Sequence, residues 1–359
     1  MTKLKFSLLF LLIPAAIFFT SCGGNQEAKT DEGSNVENQE QAVEQTEFDI
    51  LVKHLESNRN YLNTTPDKGG APSLITADVV KEMLDGNIYV IDIRDAKTFS
   101  EGHIKGAVNV READLLFHLN NEIDIKSFDK IILACYTGQT ASYNASLLNL
   151  GGYDNVAALK WGMASWNSKL DQKWKKNSGN NPEIVETTPN PKAEAGSYPE
   201  IYTGMSDAES ILEARVNEVV GMGIGNAKIS LDDLSQSLED FYIVNYWPEE
   251  MYNEGHIKTA LQYTPRKSLH TSADLATLPI DRPIAVYCYS GQHSAAVVAY
   301  LRVLGYDAYT LLYGANAFMN KKLVETNNHG FSSKLSNNFE LETSEYVEPE
   351  GGVQVGGGC

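Results

Sequence analysis

The chain has 359 residues, 42% of them hydrophobic, more than one core usually fills, so two domains with tails is the starting expectation. Its formal net charge of −18 argues against nucleic acid as a partner, because a phosphate-binding surface needs a basic excess. Four cysteines, Cys22, Cys135, Cys288 and Cys359, leave no room for a disulfide framework.

Residues 1–21 place Lys3 and Lys5 before an apolar stretch, Phe6 to Phe19, and then Thr20-Ser21 before Cys22. That is the pattern of a secretion leader. The 14 residues of this mostly apolar stretch are short of the ~20 that span a hydrocarbon core. Phe19-Thr20-Ser21-Cys22-Gly23-Gly24 resembles the bacterial lipoprotein box, which implies that residues 1–21 are a signal peptide and that Cys22 carries lipid. The domains then sit outside the cytoplasm, lipid-anchored to the cell envelope, and Gly23 favours the outer membrane or periplasmic side. Loss of residues 1–21 removes two lysines and no acid, for a net charge of −20. Residues 22–45 have almost no large apolar side chains and read as a disordered acidic stalk.

Next come two copies of one pattern. Glu101-Gly102-His103-Ile104-Lys105 and Cys135-Tyr136-Thr137-Gly138-Gln139 recur as Glu254-Gly255-His256-Ile257-Lys258 and Cys288-Tyr289-Ser290-Gly291-Gln292, offset by 153 without a gap. Gly152-Tyr153-Asp154 recurs as Gly305-Tyr306-Asp307, and Trp161-Gly162 as Tyr313-Gly314. A repeat of this length predicts duplicated domains. Each copy opens on an amphipathic helical pattern, near residues 46 and 206, the second with the capping box Ser206-Asp207-Ala208-Glu209. The predicted boundaries are 46–176 and 206–331. A proline-bearing linker, 177–205, joins them, and a disordered acidic, glycine-rich tail, 332–359, ends in Cys359.

Within the copies, short continuous apolar runs alternate with helical patterns. Ile88–Ile91, Ile131–Ala134 and Val156–Leu159 read as strands of the first copy, and Tyr242–Asn245, Ile284–Tyr287 and Ala308–Leu311 as strands of the second. Helices are predicted over Thr76–Leu84, Ala141–Leu150 and Ser294–Leu304. Buried parallel strands with crossover helices explain this best, so the fold class is α/β, two sheets in series.

In each copy a buried strand ends in cysteine, glycine follows three residues on, and a helix begins: Cys135-Tyr136-Thr137-Gly138-Gln139-Thr140 and Cys288-Tyr289-Ser290-Gly291-Gln292-His293. A loop entering a helix N-terminus aims free N–H groups at one point and favours negative charge there. Such a position can lower a cysteine pKa from about 8.5 to roughly 3.5–7.5, which makes Cys135, and second Cys288, candidate nucleophiles.

Ile91-Asp92-Ile93-Arg94, then Phe99 with Gly102-His103-Ile104 and Gly106-Ala107, then Cys135 to Thr140, is similar to the rhodanese family, and the likeness runs through both halves. The resemblance implies two tandem rhodanese-like domains, each a mostly parallel five-stranded sheet flanked by helices. It implies a sulfurtransferase that takes a sulfane sulfur as a cysteine persulfide. The donor would be a small sulfur-containing anion of the thiosulfate, mercaptopyruvate or polysulfide type; the acceptor would be a thiol or cyanide-like. No metal or organic cofactor is implied. The six-residue loop is the family's sulfurtransferase form, whereas its phosphatase branch closes in seven residues and ends in arginine.

The resemblance assigns substrate contacts to Tyr136, Thr137, Gly138, Gln139 and Thr140, and to Tyr289, Ser290, Gly291, Gln292 and His293, with Asp92 and Arg94 in support. His103 and His256 would be structural. The loops are neutral where many members carry Arg or Lys, which makes thiosulfate a poor donor. Asn245-Tyr246-Trp247 stands where the first copy has Asp92-Ile93-Arg94. An imidazolium at His293, with its pKa near roughly 6.5, would replace the missing cation and predicts acid-enhanced turnover. Cys359, at a tail tip, would act as a mobile sulfur acceptor. The rival reading is a non-catalytic binding or sulfur-sensing module on the cell envelope.

Overall fold

A computed structural model describes residues 45–346, apart from 59, 60, 66, 67 and 69. The leader, Cys22, nearly all of the stalk, and the last 13 residues with Cys359 lie outside the described residues.

The first half runs α1 (Glu47–Asn58), β1 (Leu74–Ile75), α2 (Ala77–Met83), β2 (Ile88–Asp92), α3 (Ala96–Glu101), β3 (Val108–Asn109), α4 (Leu115–Asn121), β4 (Lys130–Ala134), α5 (Gln139–Leu150), β5 (Val156–Leu159), α6 (Met163–Trp166) and α7 (Gln172–Asn177). Strand β6 (Val185–Glu186) follows. The second half runs α8 (Ala208–Met222), β7 (Lys228–Ile229), α9 (Leu231–Gln236), β8 (Tyr242–Asn245), α10 (Glu249–Asn253), β9 (His256–Ile257), β10 (Leu261–Gln262), β11 (Ile284–Tyr287), α11 (Gln292–Val303), β12 (Ala308–Leu311) and α12 (Asn316–Glu325).

Five strands form each main sheet, all parallel. The orders β1-β5-β4-β2-β3 and β7-β12-β11-β8-β10 are the same order twice. Parallel strands flanked by helices on both faces are buried on both faces, which is why the six apolar runs are continuous rather than alternating. The chain is thus α/β, two five-stranded parallel sheets in tandem. In both sheets the cysteine-bearing strand is central, so its carboxyl end opens beside two neighbours.

Helices α5 and α11 pack on one another between the sheets, and every residue of α5 is buried, Ser142, Asn144, Ser146 and Asn149 included. One apolar cluster takes Tyr143, Leu147 and Leu150 from α5 together with Val297, Tyr300 and Leu301 from α11 and the apolar face of α8.

Three boundary expectations are corrected. Helix α1 falls within the first predicted domain, 46–176, yet Phe48, Leu51, Val52 and Leu55 pack in the cluster dominated by the second half. Phe48 stacks on Tyr198 at 4.6 Å, and Glu56 accepts from Thr271 N and Oγ1 at 2.7 and 2.6 Å. The expected linker is not loose: β6 pairs antiparallel with β9, and Ile184 and Ile201 are buried. The expected disordered tail is ordered over residues 332–346, where it returns to the first half. There Phe339 N donates to Trp166 O, Glu342 N to His103 O and Ser344 N to Ser100 O. Phe339 and Leu341 complete the apolar cluster around Ile104 and Trp166. Composition reads as disorder when few apolar side chains are present, but two large ones suffice to seat a short strap.

Candidate active site at the two strand-to-helix loops

Cys135 follows β4 directly and is 1% exposed. Gly138 adopts φ +91°, a left-handed conformation open to glycine at little cost, and it turns the chain from the strand into α5. That turn brings Gly138 N to 3.1 Å and Ala141 N to 3.4 Å from Cys135 Sγ, both donating. The carbonyls that would oppose an anion are occupied elsewhere: Cys135 O accepts from Met163 N at 2.8 Å and Tyr136 O from Ala164 N at 3.3 Å. Gly162 allows this, because a β-carbon there would lie 2.5 Å from Cys135 O and 2.6 Å from Gly138 N.

Asp92, the last residue of β2, pairs with Ala134 in the register of the sheet and so stands next to the loop. Its carboxylate takes Arg94 Nε at 2.9 and 3.0 Å and Arg94 Nη2 at 2.6 Å, and Arg94 Nη2 also donates to Gly102 O at 2.7 Å. The pair is buried, and Arg94 Nη1 has no partner among the described residues. Thr137 is likewise fully buried with an unpartnered Oγ1. Thr140 sits in the first turn of α5, nearly buried.

Tyr136 is anchored outward. Its hydroxyl donates to the Asp95 carboxylate and lies 2.9 Å from Thr98 Oγ1. Burial, then the Asp95 carboxylate, push the phenol far up, so it remains a donor. At Asp95 burial alone would raise the pKa, but the bonds from Tyr136 and Thr98 and the charge of Arg94 outweigh it and hold the carboxyl low. Lys173 Nζ stands 3.5 Å from the Tyr136 ring centroid, and Arg94 Cζ 5.8 Å. The loop that is neutral in sequence therefore has two cationic side chains beside it, Arg94 just past β2 and paired with Asp92, and Lys173 from α7. Positive charge over an aromatic face is a favourable arrangement.

The second loop repeats the plan with changed chemistry. Cys288 is 2% exposed, Gly291 has φ +77°, and Ser294 N donates to Cys288 Sγ at 3.2 Å. Cys288 O accepts from Ala315 N and Tyr289 O from Asn316 N. Tyr289 stacks on Trp247 at 5.0 Å, and Ser290 Oγ accepts from Gln292 Nε2 at 3.2 Å. Asn245, in the place of Asp92, donates from Nδ2 to the Tyr287 hydroxyl at 2.8 Å, a neutral pair where the first domain has an ion pair.

Two assignments are corrected. Gln139 and Gln292, expected to touch substrate, cross to the opposite domain instead. Gln139 Oε1 accepts from Tyr313 N at 2.7 Å and Gln139 Nε2 donates to Leu311 O at 3.2 Å, while Gln292 Oε1 accepts from Trp161 N at 2.8 Å. Trp161 and Tyr313, both at positive φ, point these N–H groups across the interface. The repeated Trp161-Gly162 and Tyr313-Gly314 pairs were the visible signal, without an indication that their partners were in the other copy. Nor is His293 an imidazolium: burial first, then Arg266 and His329, depress its pKa to about 3. Part of the residue reaches the surface, but its Nε2 is buried without a partner.

His103 and His256 take structural places. Each ring Nδ1 lies 2.8 Å from a carbonyl four residues back, and each stacks on that residue's ring, Phe99 or Tyr252. Lys173 and Arg266 had no signal in the motif, since they come from segments remote from it.

A family model described as the rhodanese-like domain matches residues 76–169 and 230–321, which together make up just over half of the chain. The chain is 31% identical over 80 residues to the thiosulfate sulfurtransferase GlpE of Shewanella oneidensis, covering 22% of this chain and 76% of that protein. It is 32% identical over 94 residues to the thiosulfate sulfurtransferase GlpE of Pseudoalteromonas translucida, covering 26% and 86%. The solved structure of SseA from Escherichia coli, a 3-mercaptopyruvate sulfotransferase, aligns at 17% identity over 68% of this chain and 98% of that one, with a TM-score of 0.24. That last likeness is too low to bear on the site.

Proposed function

Because the chain belongs to the rhodanese-like domain family, with one such domain in each half, we propose that it is a sulfurtransferase in which Cys135 carries a persulfide. The observation that carries this reading is the Cys135 sulfur held by the N–H groups of Gly138 and Ala141 at the start of α5, where a sulfur anion is favoured. The relatives' names point to the same chemistry at the level of the family.

In the proposed reaction the Cys135 thiolate attacks the outer sulfur of a small anionic donor. A bond forms between Sγ and that sulfur, and the donor's remainder leaves with the electron pair of the broken bond. An acceptor thiolate or cyanide then takes the outer sulfur, and Cys135 leaves as thiolate. Lys173 and Arg94 would draw the donor's charge toward Tyr136, with Thr137 Oγ1 and Thr140 supplied by the loop itself. Cys288 is a second candidate of the same kind.

The proposed setting is the bacterial cell envelope, with lipid on Cys22. No helix among the described residues is long and apolar enough to cross a membrane, and Cys22 lies outside them.

A single peptide-resolved mass spectrum of the chain expressed in a bacterium, incubated with thiosulfate, mercaptopyruvate or polysulfide, tests both parts. The expected result is a one-sulfur adduct on the Cys135 peptide that a Cys135→Ser variant lacks, and a diacylglyceryl-modified Cys22 at the mature N-terminus. No adduct with any donor would favour the non-catalytic sulfur-sensing or binding module, a reading that the deep burial of both loop cysteines also accommodates. An unmodified Cys22 would remove the lipid anchor.

A further inference from the structure

The second loop lacks the ion pair of the first: Asn245 and Trp247 stand where Asp92 and Arg94 do, and His293 is neutral. A cation from elsewhere nevertheless acts on it, since the charge of Arg266 bears on His293. Arg266 lies in the turn after β10 with φ +63°, held by its backbone N–H, which donates to the Tyr246 hydroxyl at 2.9 Å. The Tyr246 ring meets His293, the last residue of the loop, edge-on at 5.1 Å. Arg266 has no carboxylate partner among the described residues, and its Nε is buried with no acceptor.

Two more buried nitrogens beside this loop have no partner among the described residues. One is His293 Nε2; the other is Nε1 of Trp247, which is fully buried and lies flat against Tyr289. Buried donors left without acceptors cost free energy, and a guanidinium presents its donors in a fixed fork suited to an oxyanion. First-domain Arg94 spends most of its fork on Asp92 and Gly102; Arg266 spends none on a carboxylate.

We propose that Arg266 is the specificity-determining cation of the second loop, binding the charged end of an anionic sulfane donor so that its outer sulfur faces Cys288. This rests on the sulfur-transfer reading and names the substrate class for the second loop. With thiosulfate, the Cys288 thiolate would bond to the outer sulfur, the sulfur–sulfur bond of thiosulfate would break, and sulfite would leave with the electron pair. The charge of −1 on the cysteine sulfur is kept as persulfide.

The test uses the full chain with Cys135→Ser, so that the Cys288 peptide alone reports transfer at a loop. Its labelling by thiosulfate is compared with its alkylation by uncharged iodoacetamide, and the ratio of the two rates cancels any change in thiolate fraction. Arg266→Gln should lower that ratio at least about tenfold, the loss of a charge-assisted bond, with Arg266→Lys falling between. An unchanged ratio overturns the proposal. If Cys288 takes no sulfur in the parent chain, transfer at this loop fails separately. Protection of Cys288 from iodoacetamide by sulfite then decides: protection abolished by Arg266→Gln keeps the anion site, and absence of protection removes it.

Discussion

At the last position of the second loop, burial and the charges of Arg266 and His329 hold the His293 imidazole down to about 3. From the motif alone, a histidine there reads as an acid-activated cation. Among the described residues the charges that act on it are those of Arg266 and His329, and the Tyr246 ring meets it edge-on; none of these is a carboxylate that would favour the imidazolium. Two outcomes follow. In a Cys135→Ser chain, the pH profile of Cys288 labelling should show no acid-side rise near 6.5, measured by mass spectrometry; such a rise would restore the imidazolium. Stability should fall as the pH drops from 6.5 toward 3, because the unfolded chain takes up a proton that the folded one refuses. His293→Gln should flatten that part of the denaturant-midpoint profile. Legibility at this scale divides by distance along the chain. Cys135, Cys288, Asp92 and Arg94 were readable because motif and strand end coincide. Lys173 and Arg266 were not, because each is delivered to its loop by packing of a remote segment.

The elements themselves were largely readable, since continuous apolar runs and helical spacing carry their own periodicity. Strands β2, β4, β5, β8, β11 and β12 fall where the apolar runs do. What periodicity could not say is that α5, rich in Ser and Asn, is wholly buried, because its partner is α11 of the other copy. The glutamines that open these helices tie each loop to the opposite domain. Gln139→Ala and Gln292→Ala are therefore expected to be non-additive. A double-mutant cycle by urea unfolding should give a coupling of about 0.5–3 kcal/mol, the range for residues that share a network, and strict additivity would show that the two braces act independently. A β-carbon at Gly138 would meet Gln292 Oε1 at 2.6 Å, so the two loops touch directly.

Across the whole molecule, the halves exchange their ends. Helix α1 precedes the first sheet but packs in the second half's cluster, and residues 332–346 follow the second sheet but seat on the first. Sequence repeats mark copies, which composition alone presents as self-contained domains; packing recognises no such division. Removing residues 332–359 should cost on the order of 2–4 kcal/mol, from the lost burial of Phe339 and Leu341 and the orphaned Trp166 Nε1, which donates to Glu340 O at 3.0 Å. Equal unfolding midpoints for the full and shortened chains would show that the strap adds nothing.

The crossed glutamines also bear on how such a chain can change after duplication. Each loop is one wall of the other's housing, so a copy that lost its chemistry could not discard its Gly-Gln turn without loosening the copy that kept it. Likeness between Cys135–Gln139 and Cys288–Gln292 thus records an architectural obligation, and counting turnovers from it would count a shared wall twice.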